Sequence, residues 1–477
     1  MLFNSFAFLA FFPIVCIIYY CISSNRWRNL FLLGASYYFY MCWEPVYALL
    51  LLASTVITYL AAMGIDKYGA HKKVFLVISL VLNLSILFFF KYFNWMADNV
   101  AYIMHYWGVA INMPEFKVLL PVGISFYIFQ ALGYSIDVYR RRVSIEKNFF
   151  TYALFVSFFP QLVAGPIERS TNLLQQFYKK HQFDGDKAIT GIQLMLWGYF
   201  LKIVVADNLS IYVDEIFNNL EAHNGSDIFF ASLLFCFQLY GDFAGYSYIA
   251  IGASRVLGFK LMDNFLRPYF FSTSIQDYWK RNHISLTTWF MDYIYYPMVG
   301  SSINLYWWCF CIFITFVISG VWHGANWTYI VSFCFFGLYL VVCLLKEKPQ
   351  KRFEKKHHLK NNEVWLWLNR ILTFALLLIP LTFFRANRLG DGVFALKQIF
   401  SDMSVRFLYY DFVFYLQKRV WFILLVLFMV EYFVEYKKTT FVERYFLTSH
   451  IFMSGILIIL IFALGEFGGG QFIYFQF

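Results

Sequence analysis

Two histidines are placed where they could do acid–base chemistry. His323 lies in SGVWHGANW (Ser319 to Trp327), between two long apolar runs and flanked by Gly320, Gly324, Trp322 and Trp327. An ionisable group in such a place is costly to bury and marks a functional site by default. Low dielectric favours the neutral ring. A neutral imidazole beside a hydroxyl can accept its proton as the oxygen attacks an acyl carbon. The glycines let backbone or ligand approach closely. Asn326, three residues on, is expected to share a helix face with the imidazole and fix its tautomer. The same residues also fit a structural histidine that donates to a backbone carbonyl between helices.

His283 lies in DYWKRNHISLTTW (Asp277 to Trp289), with Lys280 and Arg281 before it and Ser285, Thr287 and Thr288 after it. Ammonium and guanidinium groups pair well with phosphate oxygens. Lys280, Arg281 and Arg267 therefore suit the phosphates of a nucleotide-like donor, or equally a lipid headgroup. Substrate positioning and structural packing fit His283 alike. Asp242, in FCFQLYGDFAGYS (Phe235 to Ser247), is a carboxylate embedded among aromatics. It can orient a histidine, pair with an arginine or form a structural ion pair. Asp207, following Lys202, reads as a helix-end residue. The other seven histidines fall in hydrophilic loops or near interfaces. The sequence has no GxSxG elbow, no Walker A loop and no HExxH pair. The eight cysteines form no CxxC pair, so neither a zinc site nor a disulfide framework is expected, and no bound cofactor.

The elements that position these residues follow from composition. Of 477 residues, 61% are hydrophobic, 23% aromatic and only 14% charged. A globular surface needs about 25% charged residues, so the natural solvent of this chain is a bilayer. Sixty Phe, 36 Tyr and 14 Trp suit many helix ends at headgroup level. Apolar runs long enough to cross about 30 Å of hydrocarbon occur near 5–22, 29–63, 74–90, 118–137, 150–165, 190–206, 229–251, 303–320, 325–345, 364–384, 420–436 and 450–466. The run from 29 to 63 is too long for one span and should break around Trp43, Glu44 and Pro45. About eleven crossings are expected, in an all-α polytopic fold with re-entrant or interfacial helices. The chain reads as one membrane domain over residues 1–477, with its motifs between about 119 and 345.

The net charge of +10 is topological. Basic loops at Arg26 and Arg28, Lys67 to Lys73, Arg140 to Arg142 and Lys346 to Lys360 should face the cytoplasm, which puts the N-terminus outside. No basic and aromatic module lies outside the apolar runs, so nucleic acid is not an expected partner, whereas membrane lipid is. The apolar first segment lacks a basic n-region and reads as a retained helix. Irregular backbone at membrane depth survives only where protein or a water-filled cavity satisfies it. PQLVAGPIER (Pro160 to Arg169) is therefore expected to make a re-entrant turn, and Arg267 to Gly300 an interfacial or re-entrant segment.

An ordered set of motifs makes the sequence resemble the membrane-bound O-acyltransferase superfamily, in its bacterial branch related to the alginate O-acetyltransferase membrane subunit. The set is LLPVGISFYIFQALGYSIDVYR (Leu119 to Arg140), FFPQLVAGPIER (Phe158 to Arg169), FQLYGDFAGYSYIAIG (Phe237 to Gly252), NHISLTTWFMDYIYYPMVG (Asn282 to Gly300), SGVWHGANWTYI (Ser319 to Ile330) and FFRA (Phe383 to Ala386). The resemblance runs from near Met1 to the closing FGGGQFIYFQF. It implies membrane helices around a central tunnel, with His323 at the active-site histidine position and His283 at the second motif histidine. Asn282 stands where the family usually has a bulky residue, and Tyr248 where alginate-type relatives tend to carry Asp.

By the same resemblance the protein is an acyltransferase of a bacterial inner membrane. It would take an acyl group, commonly acetyl from acetyl-CoA, and deliver it outward for O-acetylation of a polysaccharide such as an alginate-like exopolysaccharide. An extracytoplasmic acetyltransferase-type partner protein would complete the transfer. His323 would then be the base, Asn326 and Trp322 would shape its setting, and His283 with Lys280 and Arg281 would position the donor. The alternatives are D-alanyl or other acyl transfer to a teichoic-acid-type acceptor, a transporter that moves an acylated intermediate without chemistry, and a haem protein ligated by the two histidines.

Overall fold

A computed structural model describes every residue except 110, 112, 115, 117–119, 164, 360–361, 404–417, 438–449, 469–471 and 474–477. Lys360, which ends the basic run, and most of the closing FGGGQFIYFQF lie outside the described residues. Among those described there is no β-strand, and the fold is all-α and polytopic. Among the described residues, seven helical stretches are long and apolar enough to cross a membrane: 47–67, 69–106, 185–218, 225–256, 305–323, 327–356 and 363–385. Phe6–Cys21 and Ser454–Leu464 are shorter apolar helices.

The chain falls into two compact units: residues 1–195 with 249–262, and residues 196–248 with 263–476. In the first, the long apolar run divides as expected into Asn25–Met41 and Tyr47–Lys67, on either side of Trp43 to Pro45. The run at 150–165 does not make one span. Phe149–Ser157 has nine residues, a length of about 14 Å at 1.5 Å per residue. Phe158 then leaves the helix, and one further turn, Phe159–Leu162, follows with Pro160 as its second residue. The break frees the carbonyl of Phe155, which accepts from the side-chain amides of Gln130 (2.6 Å) and Gln161 (2.8 Å). Protein groups thus satisfy the backbone freed just before PQLVAGPIER.

Lipid is as apolar as leucine and gives helices no hydrophobic reason to associate, so close packing and interhelical hydrogen bonds hold them, at about 0.6 kcal/mol for each bond. In the first unit Ser54 Oγ donates to Asn83 Oδ1 (2.6 Å) and Tyr152 donates to Thr58 Oγ1 (2.7 Å). In the second, small residues do the corresponding work. A Cβ on Gly241 would lie 2.8 Å from the carbonyl oxygen of Leu201, and one on Gly245 2.7 Å from that of Gly198. This approach brings Asp242 against a π-helical turn, Phe200–Ala206, which carries Lys202.

The basic run from Lys346 is not a loop. The 30-residue Trp327–Lys356 helix carries it as far as Lys356. Lys and Glu are good helix formers, and Glu347 with Lys351 forms an i,i+4 pair at 2.5 Å. The segment after Arg267 behaves as expected. It consists of short helices, Ile275–Arg281, Ile284–Phe290 and Tyr296–Val299, none long enough to span.

Candidate active site

His323 is the last residue of the Leu305–His323 helix. Gly324 follows in extended conformation (φ −175°, ψ 160°), and Asn326 caps the next helix by accepting from Thr328 N at 3.1 Å. The shared helix face expected for Asn326 and the imidazole therefore does not form, because the helix ends between them. Asn326 instead donates its amide to the Asn387 carbonyl at 2.9 Å.

The two helices of this hairpin cross closely at Gly320. A Cβ there would meet Phe333 Cβ at 2.9 Å and Ile330 Cα and Tyr329 O at 3.0 Å. The close crossing sets the Phe333 ring against the imidazole of His323, with centroids 4.5 Å apart. Phe384, from the FFRA motif, stands edge-on at 5.6 Å, and Trp322 at 4.9 Å. The imidazole is 4% exposed and lies in an aromatic box.

His283 comes from the corner between two short helices and is 2% exposed. Its backbone is left-handed (φ 47°, ψ 50°), a strained conformation for a residue with a side chain that persists only where neighbours hold it. Asn264 supplies that hold. Its carbonyl accepts from Ile284 N (3.1 Å), its Oδ1 accepts from Ser285 Oγ (2.6 Å), and its amide donates to Ser247 Oγ (3.1 Å). The ring of His283 meets Phe243 edge-on at 4.4 Å, lies 6.0 Å from Trp322 and reaches 6.4 Å from His323. Residues forty positions apart in sequence are thus brought together, both buried and both lined by aromatics. Burial pushes the His283 imidazole well below its ordinary value.

The charged candidates separate by role. Lys280 is exposed. Arg281 is 4% exposed and engaged by carboxylates: Nη2 to Asp277 at 2.8 Å and Nη1 to Glu435 at 2.6 Å, with the Pro268 carbonyl at 3.2 Å. Its guanidinium ties the short helix to the Lys418–Lys437 helix. Asp242 pairs with Lys202 at 2.6 Å and accepts from Ile473 N at 2.7 Å. Lys202 also meets Asp207 at 2.7 Å, so Asp207, the first residue of the Asp207–Asn218 helix as expected, also belongs to a buried three-charge cluster. Asp242 is next to Phe243, and its bond to Ile473 holds the Phe472 ring 6.2 Å from that of Phe243.

Asn264, Glu435 and Lys202 hold the site and were not singled out by the sequence. Lys202 carried a signal, a lone cation in an apolar run. Asn264 and Glu435 carried none, since each acts on a segment distant in sequence.

Residues 140–384 match the membrane-bound O-acyltransferase family. The chain is 36% identical over 396 residues to a probable alginate O-acetylase AlgI of Pseudomonas putida, covering 82% of this chain and 78% of that protein. It is 32% identical over 430 residues to a peptidoglycan O-acetyltransferase of Helicobacter pylori, covering 83% and 79%. A teichoic acid D-alanyltransferase of Bacillus subtilis is 28% identical over 284 residues, covering 57% of this chain and 68% of that protein.

Proposed function

Because the chain belongs to the membrane-bound O-acyltransferase family and is an integral membrane acyltransferase, we propose that it takes an acetyl group from a cytoplasmic thioester donor such as acetyl-CoA and delivers it across the membrane for O-acetylation of an extracytoplasmic polysaccharide. The observation that carries this reading is the pairing of His283 and His323, buried together at 6.4 Å in an aromatic enclosure. In the proposed step, His323 accepts the proton of an attacking hydroxyl. The oxygen bonds to the acyl carbon, the carbon–sulfur bond breaks, and the thiolate takes the proton back from the imidazolium. His283 positions the reacting groups, and Trp322 with Phe333 and Phe384 excludes water.

Lys280, exposed beside the site, meets the phosphates of the donor. Arg281, Asp242 and Asn326 act through the framework they hold. The cell inner membrane, an extracytoplasmic N-terminus and an extracytoplasmic partner protein that completes the transfer belong to the same proposal. D-Alanyl transfer to a teichoic-acid-type acceptor is the second reading, favoured by the Bacillus subtilis relative. The acetyl reading is preferred because the relatives named for O-acetylation match more of the chain, at higher identity.

The test is transfer of labelled acetyl from acetyl-CoA by protein in liposomes, comparing wild type with His323→Ala and with His323→Gln. Label moved by wild type alone, with all three proteins equally stable to heating, supports the reading. Equal label with the wild type and both variants removes His323 from the mechanism. Label moved only when a D-alanyl carrier protein replaces acetyl-CoA supports the second reading.

A further inference from the structure

The first unit holds a polar cavity of about 390 Å³ where the end of Tyr47–Lys67, the start of Lys72–Leu87 and the end of Ile124–Tyr139 meet. Its polar lining is Asp66, Lys72, Tyr139, Arg141, Arg142 and Ser144. Three cations face one carboxylate in the wall. Asp137 stands 3.9 Å behind Arg142, too far for a hydrogen bond, and still leaves a positive surplus. Lys72 Nζ sits 4.8 Å over the Tyr139 ring, and the Arg142 side chain is 52% exposed, so its guanidinium can turn toward a ligand.

Positive-inside topology and the negative end of a helix dipole would each put basic residues here. Neither accounts for the backbone of Arg141. The helix ends in a Schellman turn, with Arg142 N bonded to Asp137 O (2.9 Å) and Arg141 N to Val138 O (3.0 Å). Arg141 therefore takes the left-handed position (φ 58°) that glycine usually fills. The sequence accepts backbone strain to present a guanidinium at the mouth of the cavity.

We propose that this cavity binds a phosphate group. Arginine forks match phosphate oxygens in bidentate fashion, and Lys72 adds a point charge beneath. The cavity lies where membrane helices end, and basic pockets at such ends bind the headgroups of anionic lipids. Phosphatidylglycerol is the occupant the position favours, and the phosphate of a soluble ligand is the other source of the same chemistry.

The experiment uses the full chain. Native mass spectrometry counts phosphatidylglycerol retained against phosphatidylcholine from mixed nanodiscs, and calorimetry in detergent measures binding of inorganic phosphate. The variants are Arg141→Gly with Arg142→Gln, and separately Lys72→Gln. Each basic side chain removed is expected to weaken retention about fivefold. Arg141→Gly removes the strained residue, so the double variant should unfold no earlier than wild type and keep its acyl-transfer activity. Retention of phosphatidylglycerol by wild type and its loss in the variants establishes a lipid site. Binding of inorganic phosphate alone, lost in the same variants, keeps the phosphate site and assigns a soluble ligand. No preference for either probe, or equal binding by wild type and variants, overturns the proposal.

Discussion

Replacing Gly320 by alanine is expected to slow acyl transfer about tenfold while leaving the protein folded. A Cβ at this position would lie 2.9 Å from Phe333 Cβ and 3.0 Å from Ile330 Cα and Tyr329 O, where ordinary contact is 3.4–4 Å. Two of these atoms are backbone, so side-chain rotation cannot relieve the overlap. The hairpin helices must separate by about 0.5 Å or more to regain van der Waals distance. Overpacking of this kind costs about 1–3 kcal/mol, and the better helix propensity of alanine returns about 1 kcal/mol. The net loss of stability is therefore small, about 0–2 kcal/mol. The displacement falls on Phe333, whose ring lies 4.5 Å from that of His323. A misplacement of about 1 Å costs on the order of 100-fold in rate, so half of that predicts a fall of about tenfold in kcat. The measurement is acyl-transfer kinetics with thermal unfolding in the same detergent. Gly34→Ala is the control, since a Cβ there meets nothing within 4 Å. Unchanged kcat in Gly320→Ala, with unchanged melting temperature, would refute the reasoning that this crossing positions the imidazole.

Arg281→Ala leaves Asp277 without its cation and Glu435 with only Arg267, 3.7 Å away, and should lower stability by about 1–3 kcal/mol in thermal unfolding. Lys280→Ala should leave stability unchanged and raise KM for the acyl donor without changing kcat, which separates framework from donor contact in steady-state kinetics. Lys202→Met should cost about 3–5 kcal/mol by leaving Asp207 and Asp242 buried together, and adding Asp207→Asn and Asp242→Asn should restore most of it in thermal unfolding. His283 has a folded-state pKa below its ordinary value of 6.5 because of burial, so the unfolded state binds the proton first. Its contribution to stability is complete above the ordinary value and is lost as pH falls below it. Unfolding midpoints from pH 7.5 down to 5 should show that loss in wild type and a shallower slope in His283→Gln.

Much of the site was legible because its residue types are costly where they stand. A histidine between two apolar runs, a second one in a charged break and an aspartate among aromatics each stood out against a composition with few charges. His323 and His283 are brought together in the structure, although nothing in the spacing of forty residues required it. Asn326 was misjudged for a local reason: the i,i+3 relation holds only while a helix continues, and Gly324 ends this one. Arg281 read as a free phosphate ligand because Glu435, its partner, lies 154 residues away. Asp207 read correctly as a helix-end residue, but its ion-pair cluster was not legible, since Asp242 completes it from another helix. Asn264 left no trace in the sequence, because a lone asparagine is informative only through the strained turn that it holds.

The sequence by itself determined the solvent, the class of fold and the chemistry available. Hydrophobic runs of span length and scarce charge leave a helical membrane protein as the stable arrangement, since lipid offers no partners for open backbone. Motif order determined the family. Tertiary structure alone decided which polar groups are neutralised and which face the reaction. A charge buried in low dielectric must be paired, and its partner can come from any segment that packing brings near. The glycines at 241, 245 and 320 decided how closely helices approach, and so which side chain faces which. Those distances are set by three-dimensional packing, and spacing along the chain does not encode them.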